Sequence, residues 1–342
     1  MTATDAGTVA AILSDLAQEC GCLPGVKALV VLGSVSRGEE SYVILEGQRQ
    51  LSSDIELLAV TSGWRTRTDL AAQILKAAAT VEARHAPHCA PSFHIDVSMI
   101  AEHRLPFIDR RFIHFETRET GRVILGAPNL LQRIPLITPQ TLNLSELHAV
   151  FIHRLASVLR VLEALKEGRS SADAAYLAVC RNGLDLLSVL LPHCGRLVAG
   201  YQRRQEVARD VLPGLAFEKL KTADAILAFT EQCLKHKLGA PLLADLPFDL
   251  LLEGFLAHVC EVRAFVSAQE KRPFFRRDQR RVLAAALKLK PDQLALEWRR
   301  GRTEAALADD LCAAIQGLRA GLLVAGSASF TPRLRALYPG AY

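Results

Sequence analysis

The chain has no run of roughly 18–20 uninterrupted apolar residues, so a membrane-spanning helix is not expected. Its start, MTATDAGTVA, carries an acid early and lacks the basic-then-apolar order of a secretory signal. A cytoplasmic location is the expectation. Paired cysteine motifs are missing as well. The eight cysteines are scattered, and Cys20 and Cys22 form a lone C-x-C with no second pair, which argues against a zinc ribbon. Cys180, Cys260 and Cys312 lie in apolar helical runs and read as small buried hydrophobes. There is no G-x-x-x-x-G-K-[ST] phosphate loop, no G-x-G-x-x-G and no H-E-x-x-H. A P-loop kinase, a Rossmann dehydrogenase and a zincin protease are thereby disfavoured. No internal repeat and no low-complexity segment is found.

What is present is an ordinary globular balance, 50% hydrophobic and 23% charged. A length of 342 residues favours about two domains. Charge divides them. Residues 1–135 hold 13 Lys and Arg against 15 Asp and Glu, a net of −2. The remainder holds 28 against 21, a net of +7. A basic domain beside an acidic one suits an anionic ligand, a triphosphate tail or nucleic acid, or else is a solvated basic face.

Patterning gives the same division. Residues 8–19 read as an amphipathic helix, ended by Gly21, Pro24 and Gly25. Lys27–Leu32, Ile55–Val60, Phe93–Ile100 and Arg122–Leu125 read as strands. Thr68–Arg84, with Thr68 as N-cap, and Arg104–Thr117 read as helices. Pro128, Pro135 and Pro139 mark a linker. Beyond it, apolar residues recur at steps of three and four in three stripes: Leu144 to Leu165, Leu252 to Phe265, and Leu307 to Leu322. The expected fold is α+β. A domain over residues 1–135 carries a small mixed sheet with helices, and residues 140–342 form an all-α domain of six to eight helices.

Three pieces of the first domain carry chemistry. Gly33-Ser34 ends the first strand, where glycine lets the backbone approach a ligand and a helix begins. Ser53-Asp54-Ile55-Glu56 opens the second strand. Residues two apart share a strand face, so Asp54 and Glu56 project side by side and repel unless a cation lies between them. Asp96 sits in SFHIDVSMI, where His94, Asp96 and Ser98 alternate with Phe93, Ile95, Val97 and Met99. Carboxylate oxygens of this kind suit Mg²⁺ or Mn²⁺ and not zinc.

The order of these pieces resembles the polymerase-β-like nucleotidyltransferase superfamily over about residues 26–130. The pair GSVSRGE and SDIELL is most similar to the aminoglycoside-type nucleotidyltransferases. Gly121-Arg-Val-Ile-Leu-Gly126 resembles the closing strand and glycine of such domains. The resemblance implies a metal-dependent enzyme that moves a nucleoside monophosphate from an NTP, ATP foremost, to a hydroxyl of an acceptor, releasing pyrophosphate. It implies that Asp54, Glu56 and Asp96 are catalytic and hold the Mg²⁺ (or Mn²⁺). Gly33, Ser34, Ser53 and Arg37 would lie at the nucleotide, although Arg37 is equally a surface arginine. The chain departs from the pattern in one place. Twenty positions separate Ser34 from Asp54, more than such families usually have, and the insert SYVILEGQRQ would lengthen the loop beside the triphosphate.

The acceptor is left open. A small hydroxyl compound, bound on the side of the helical domain, is the preferred reading. RNA, such as a tRNA end, is the alternative, and a non-catalytic nucleotide-binding regulatory module is the reading from another class. The basic run Lys271 to Arg281, with Phe274 and Phe275, suits nucleic acid or a loop with its phenylalanines packed inward; Trp298 to Arg302 reads likewise. His85, His88, Cys89 and His94 match no zinc spacing and read as loop histidines and a thiol.

Overall fold

The computed structural model describes residues 3–269 except 46–47, 64–67, 92, 143–144, 170–171, 216–222 and 240–246. The stripe at 307–322 and the basic runs at 271–281 and 298–302 lie outside the described residues. The chain divides into two compact units, Met1–Leu142 and Asn143–Tyr342. The first is α/β with a mixed four-stranded sheet, and the described part of the second is all helical.

The first unit runs α1 (Ala3–Gly21), β1 (Val26–Leu32), α2 (Gly33–Arg37), β2 (Tyr42–Leu45), β3 (Gln48–Leu51), β4 (Ile55–Thr61), α3 (Thr68–His85), β5 (Ile95–Ala101), α4 (Phe112–Thr120) and β6 (Arg122–Leu125). The main sheet has the order β5-β4-β1-β6. β1 pairs antiparallel with both β4 and β6, and β4 pairs parallel with β5. A parallel pair requires a crossover, which α3 supplies. β1 is central and its residues Ala28 to Val31 are wholly buried. That explains its continuous apolar run where a half-exposed strand would alternate.

Side-chain parity sorts the two faces. On one, Ile12 and Leu16 of α1 and Val81 of α3 pack with Val31, Ile55 and Leu57. On the other, Ala28, Val30 and Val60 lie under Leu105, Leu130, Leu131 and Ile134. Glu56 and Asp96 have the parity of this second face, at the end where β1 finishes and β4 and β5 begin.

Three expectations change here. The helix read over Arg104–Thr117 is broken. A 3₁₀ turn spans Glu102–Phe107, and α4 starts only at Phe112. Pro106, inside that turn, lacks the N–H an α-helix needs. The proline-marked linker is packed structure: Leu130–Arg133 is a 3₁₀ turn, and Leu130, Leu131, Ile134, Ile137 and Leu142 are buried. The insert SYVILEGQRQ is a β-hairpin, β2 against β3, with Tyr42 opposite Leu51. Leu51 is buried in the core and Tyr42 packs against it.

The second unit contains α5 (Ser145–Lys166), α6 (Ala172–His193), α7 (Tyr201–Val211), α8 (Ala223–Lys237) and α9 (Phe248–Gln269). α6 packs against the other four. Its segment Ala174–His193 is long and apolar enough to cross a membrane by length and composition. However, 78% of that segment is buried within the protein, as a central core helix requires. Cys180 is buried as expected, whereas Cys260 is exposed.

Burial also makes this unit sensitive to acid. His236 of α8 lies 4.6 Å from the Tyr176 ring, and burial pushes its pKa down to about 4. A histidine held neutral in the fold stabilises fully above its unfolded pKa of about 6.5, and that stability is lost as pH falls toward the folded value. The expected loss between pH 7 and pH 4 is on the order of 3 kcal/mol. Denaturant melts across that range should show it, and His236→Phe should flatten the slope.

Candidate functional site

The site begins where β1 ends. Gly33 takes φ 65° and starts α2, and Gly38, at φ 68°, closes it. Only glycine adopts such angles freely. Leu32 is the register partner of Glu56. A Cβ on Gly33 would stand 2.8 Å from Glu56 Oε2, so the Glu56 carboxylate occupies the space a side chain would fill.

β4 and β5 then bring the acids together. Glu56 pairs in register with Asp96, and Ile55 with Ile95. Asp54 and His94 precede these strands by one residue each. Asp54, His94 and Asp96 each offer one ligand atom, and those atoms all lie within 4.8 Å of one another. Glu56 shares their face but sits at Gly33, outside this group. His94, by its spacing a loop histidine, thus joins the acids. His94 Nε2 lies 3.1 Å from Asp96 Oδ2, with the two side chains 50% and 66% exposed. The backbone around His94 is pinned on both sides. Its carbonyl accepts the Ile55 N–H at 3.0 Å, and the Ile95 N–H donates to Glu82 Oε2 of α3 at 2.7 Å.

The flanking polar residues are enclosed in the fold. Ser53 is only 4% exposed. Its Oγ accepts the Ser41 N–H at 2.7 Å and the Ser34 hydroxyl at 3.3 Å. It therefore clamps the hairpin base and orients Ser34. Arg37 is not a surface arginine. Its side chain is 8% exposed, donates to Glu39 Oε2 at 2.7 Å and lies 3.5 Å from Glu116 Oε1 of α4. Removing one member of such a buried pair is costly, so Arg37 serves the packing of α2 on α4.

The other histidines and thiol do not converge on a metal. His85 Nε2 lies 2.9 Å from Asp15 Oδ2, and Arg84 donates to the same oxygen at 2.8 Å. Arg84 first, then His85, holds the Asp15 carboxyl below its ordinary range. These contacts tie the end of α3 to α1. Cys89 is buried, and burial pushes its thiol up to about 11, which disfavours the thiolate a metal needs.

The N-terminal unit is thus a mixed sheet with helices that presents an Asp/His/Asp group at one end. Compared with protein-family models, with curated proteins and with solved structures, the chain finds no match in any of the three.

Proposed function

We propose that the N-terminal unit is the catalytic domain of a metal-dependent nucleotidyltransferase of the polymerase-β-like type. The observation that carries this reading is the register pairing of Glu56 with Asp96 beside Asp54, one strand from the Gly33 turn. Two parallel strands place acids side by side where β1 hands over to α2. Such repulsion is relieved by a dication.

The donor set fits one. Carboxylate oxygens gathered at one end of the sheet suit a hard or borderline dication, Mg²⁺ or Mn²⁺. Asp54, Glu56 and Asp96 are the carboxylates that would hold it, and when bound it neutralises the triphosphate and polarises the phosphorus under attack. The chain's own residues do the rest. Gly33, without a side chain, lets the phosphates approach the backbone. Ser34 presents its N–H and hydroxyl beside them, oriented by Ser53. Asp96, the most open of the acids, faces the incoming acceptor hydroxyl and aligns it. The hydroxyl oxygen bonds to the α-phosphorus, the bond to the bridging oxygen breaks, and pyrophosphate departs with its electron pair. The hydroxyl proton passes to solvent. The acceptor we favour is a small hydroxyl compound, and the net +7 of residues 136–342 keeps RNA as the competing acceptor.

Incubation with each labelled NTP and Mg²⁺, with a pool of hydroxyl metabolites or with total RNA, tests this directly. Label is expected on a small acceptor. Label on RNA, with binding that weakens steeply as salt rises, would favour the second acceptor; no transfer from any NTP would remove the reading. Calorimetry gives an independent check. ATP should bind in Mg²⁺ and lose at least about tenfold in affinity in excess EDTA, because an acidic site repels a bare triphosphate. Equal affinity in the two buffers would contradict a carboxylate metal site.

A further inference from the structure

We infer that His94 is a metal ligand, and that with Asp54 and Asp96 it makes the site selective for a first-row transition-metal dication such as Mn²⁺ over Mg²⁺. The inference rests on the metal site proposed above and names its donors more closely.

The geometry is that of adjacent corners on one ion. Donor atoms about 2.1 Å from a cation and at right angles to each other lie about 3 Å apart. His94 Nε2 and Asp96 Oδ2 are 3.1 Å apart. Opposite corners of the same octahedron lie about 4.2 Å apart, and the Asp54, His94 and Asp96 donors all fall within 4.8 Å of one another. The backbone is ordered to suit. The Ile55 N–H to His94 carbonyl bond and the Ile95 N–H to Glu82 bond hold the residue on both sides. His94 and Asp54 each precede the register pair Ile55–Ile95 by one residue, as Asp96 and Glu56 follow it as partners.

The chemical consequence is selectivity. Mg²⁺ takes oxygen donors in a strict octahedron and sheds water reluctantly. An imidazole nitrogen is a softer donor that suits transition metals, and their affinity for a mixed nitrogen and oxygen set rises along the series from Mn²⁺. Two carboxylates and one imidazole therefore favour Mn²⁺ where three carboxylates would favour Mg²⁺.

The test uses the full chain without nucleotide. Mn²⁺ is titrated in, and the bound ion is examined by pulsed electron paramagnetic resonance for coupling to a directly bonded ¹⁴N. The wild type should bind Mn²⁺ with a strong ¹⁴N coupling. His94→Gln should bind with the coupling gone and the Mn²⁺-over-Mg²⁺ affinity ratio reduced about tenfold or more, since even outer-shell partners of a ligand carry that much. His94→Asp should keep a metal site and shift its preference toward Mg²⁺. Asp54→Asn should lose the coupling as well, which separates this site from stray surface histidines. Bound Mn²⁺ without ¹⁴N coupling, a coupling that survives in His94→Gln, or no Mn²⁺ binding by the wild type would each overturn the inference. Because nucleotide is absent, a positive result stands even if no transfer reaction is found, and transfer in Mg²⁺ alone would stand even if this result is negative.

Discussion

Asp54→Asn and Asp96→Asn should each reduce nucleotide transfer by at least about a thousandfold, equivalent to about 4 kcal/mol of transition-state stabilisation. Both acids sit in the group whose ligand atoms lie within 4.8 Å, and an amide keeps their shape while removing the charge a dication needs. The fold should not suffer. Glu56 and Asp96 are register partners and Asp54 shares their face, so in metal-free buffer the loss of one negative charge relieves repulsion. The melting temperature should hold or rise slightly in EDTA, and the stabilisation that Mg²⁺ or Mn²⁺ gives the wild type should vanish. Turnover at the wild-type rate in Asp54→Asn would refute the catalytic assignment. A collapsed melting temperature would instead show that the acids are structural.

Gly126→Ala should be strongly damaging, lowering stability by about 3 kcal/mol or more. The residue follows β6 and takes φ 101°, a region costly for any residue with a side chain. An added Cβ would stand 2.5 Å from the Lys27 carbonyl oxygen and 2.7 Å from the Ala28 Cβ, both on β1. The central strand cannot yield, because its residues are packed on both faces. The melting temperature should drop by about 10 °C. Gly38→Ala is the internal comparison. Its φ is 68°, but nothing stands within 4 Å of the added atom, so only backbone strain remains, about 1 kcal/mol. Equal losses in the two variants would mean that the approach of Gly126 to β1 contributes nothing.

The central strand β1 was legible because Ala28 to Val31 are buried and form a short continuous apolar run, and the edge strand β5 because its apolar and polar residues alternate. The long helices α5 and α9 were legible from their stripes, and the stripe residues Leu252, Phe255, Val259, Val262 and Phe265 are all buried. What escaped the sequence was pairing. Tyr-Val-Ile-Leu could have been read as a strand, but only its partner Gln48–Leu51 makes it one, and the insert looked like a longer loop. Leu130, Leu131 and Ile134 look like ordinary linker residues until the second sheet face is found to need them. His94 was seen to share a face with Asp96. Nothing local showed that β5 runs parallel to β4 in the register that brings it near Asp54. Arg37 misled for a related reason. Whether an arginine meets solvent or two glutamates depends on where α4 lies, and that is a tertiary fact.

The pinch at the base of the hairpin separates distance along the chain from distance in space. The Ser41 carbonyl accepts the N–H groups of Ser52 and Ser53 at 2.9 and 3.3 Å, and the Ser41 N–H returns a bond to Ser53 Oγ. The excursion therefore leaves and rejoins the domain through a single point. Seen from the acids, Ser34 and Asp54 are joined by a short path that crosses the hydrogen bonds between Ser41 and Ser53, with the hairpin as a side branch. Each doubling of such a branch costs only about 0.6 kcal/mol of closure entropy. Chain can therefore be added within the excursion while the pinch between Ser41 and Ser53 keeps Ser34 and Asp54 at the same address.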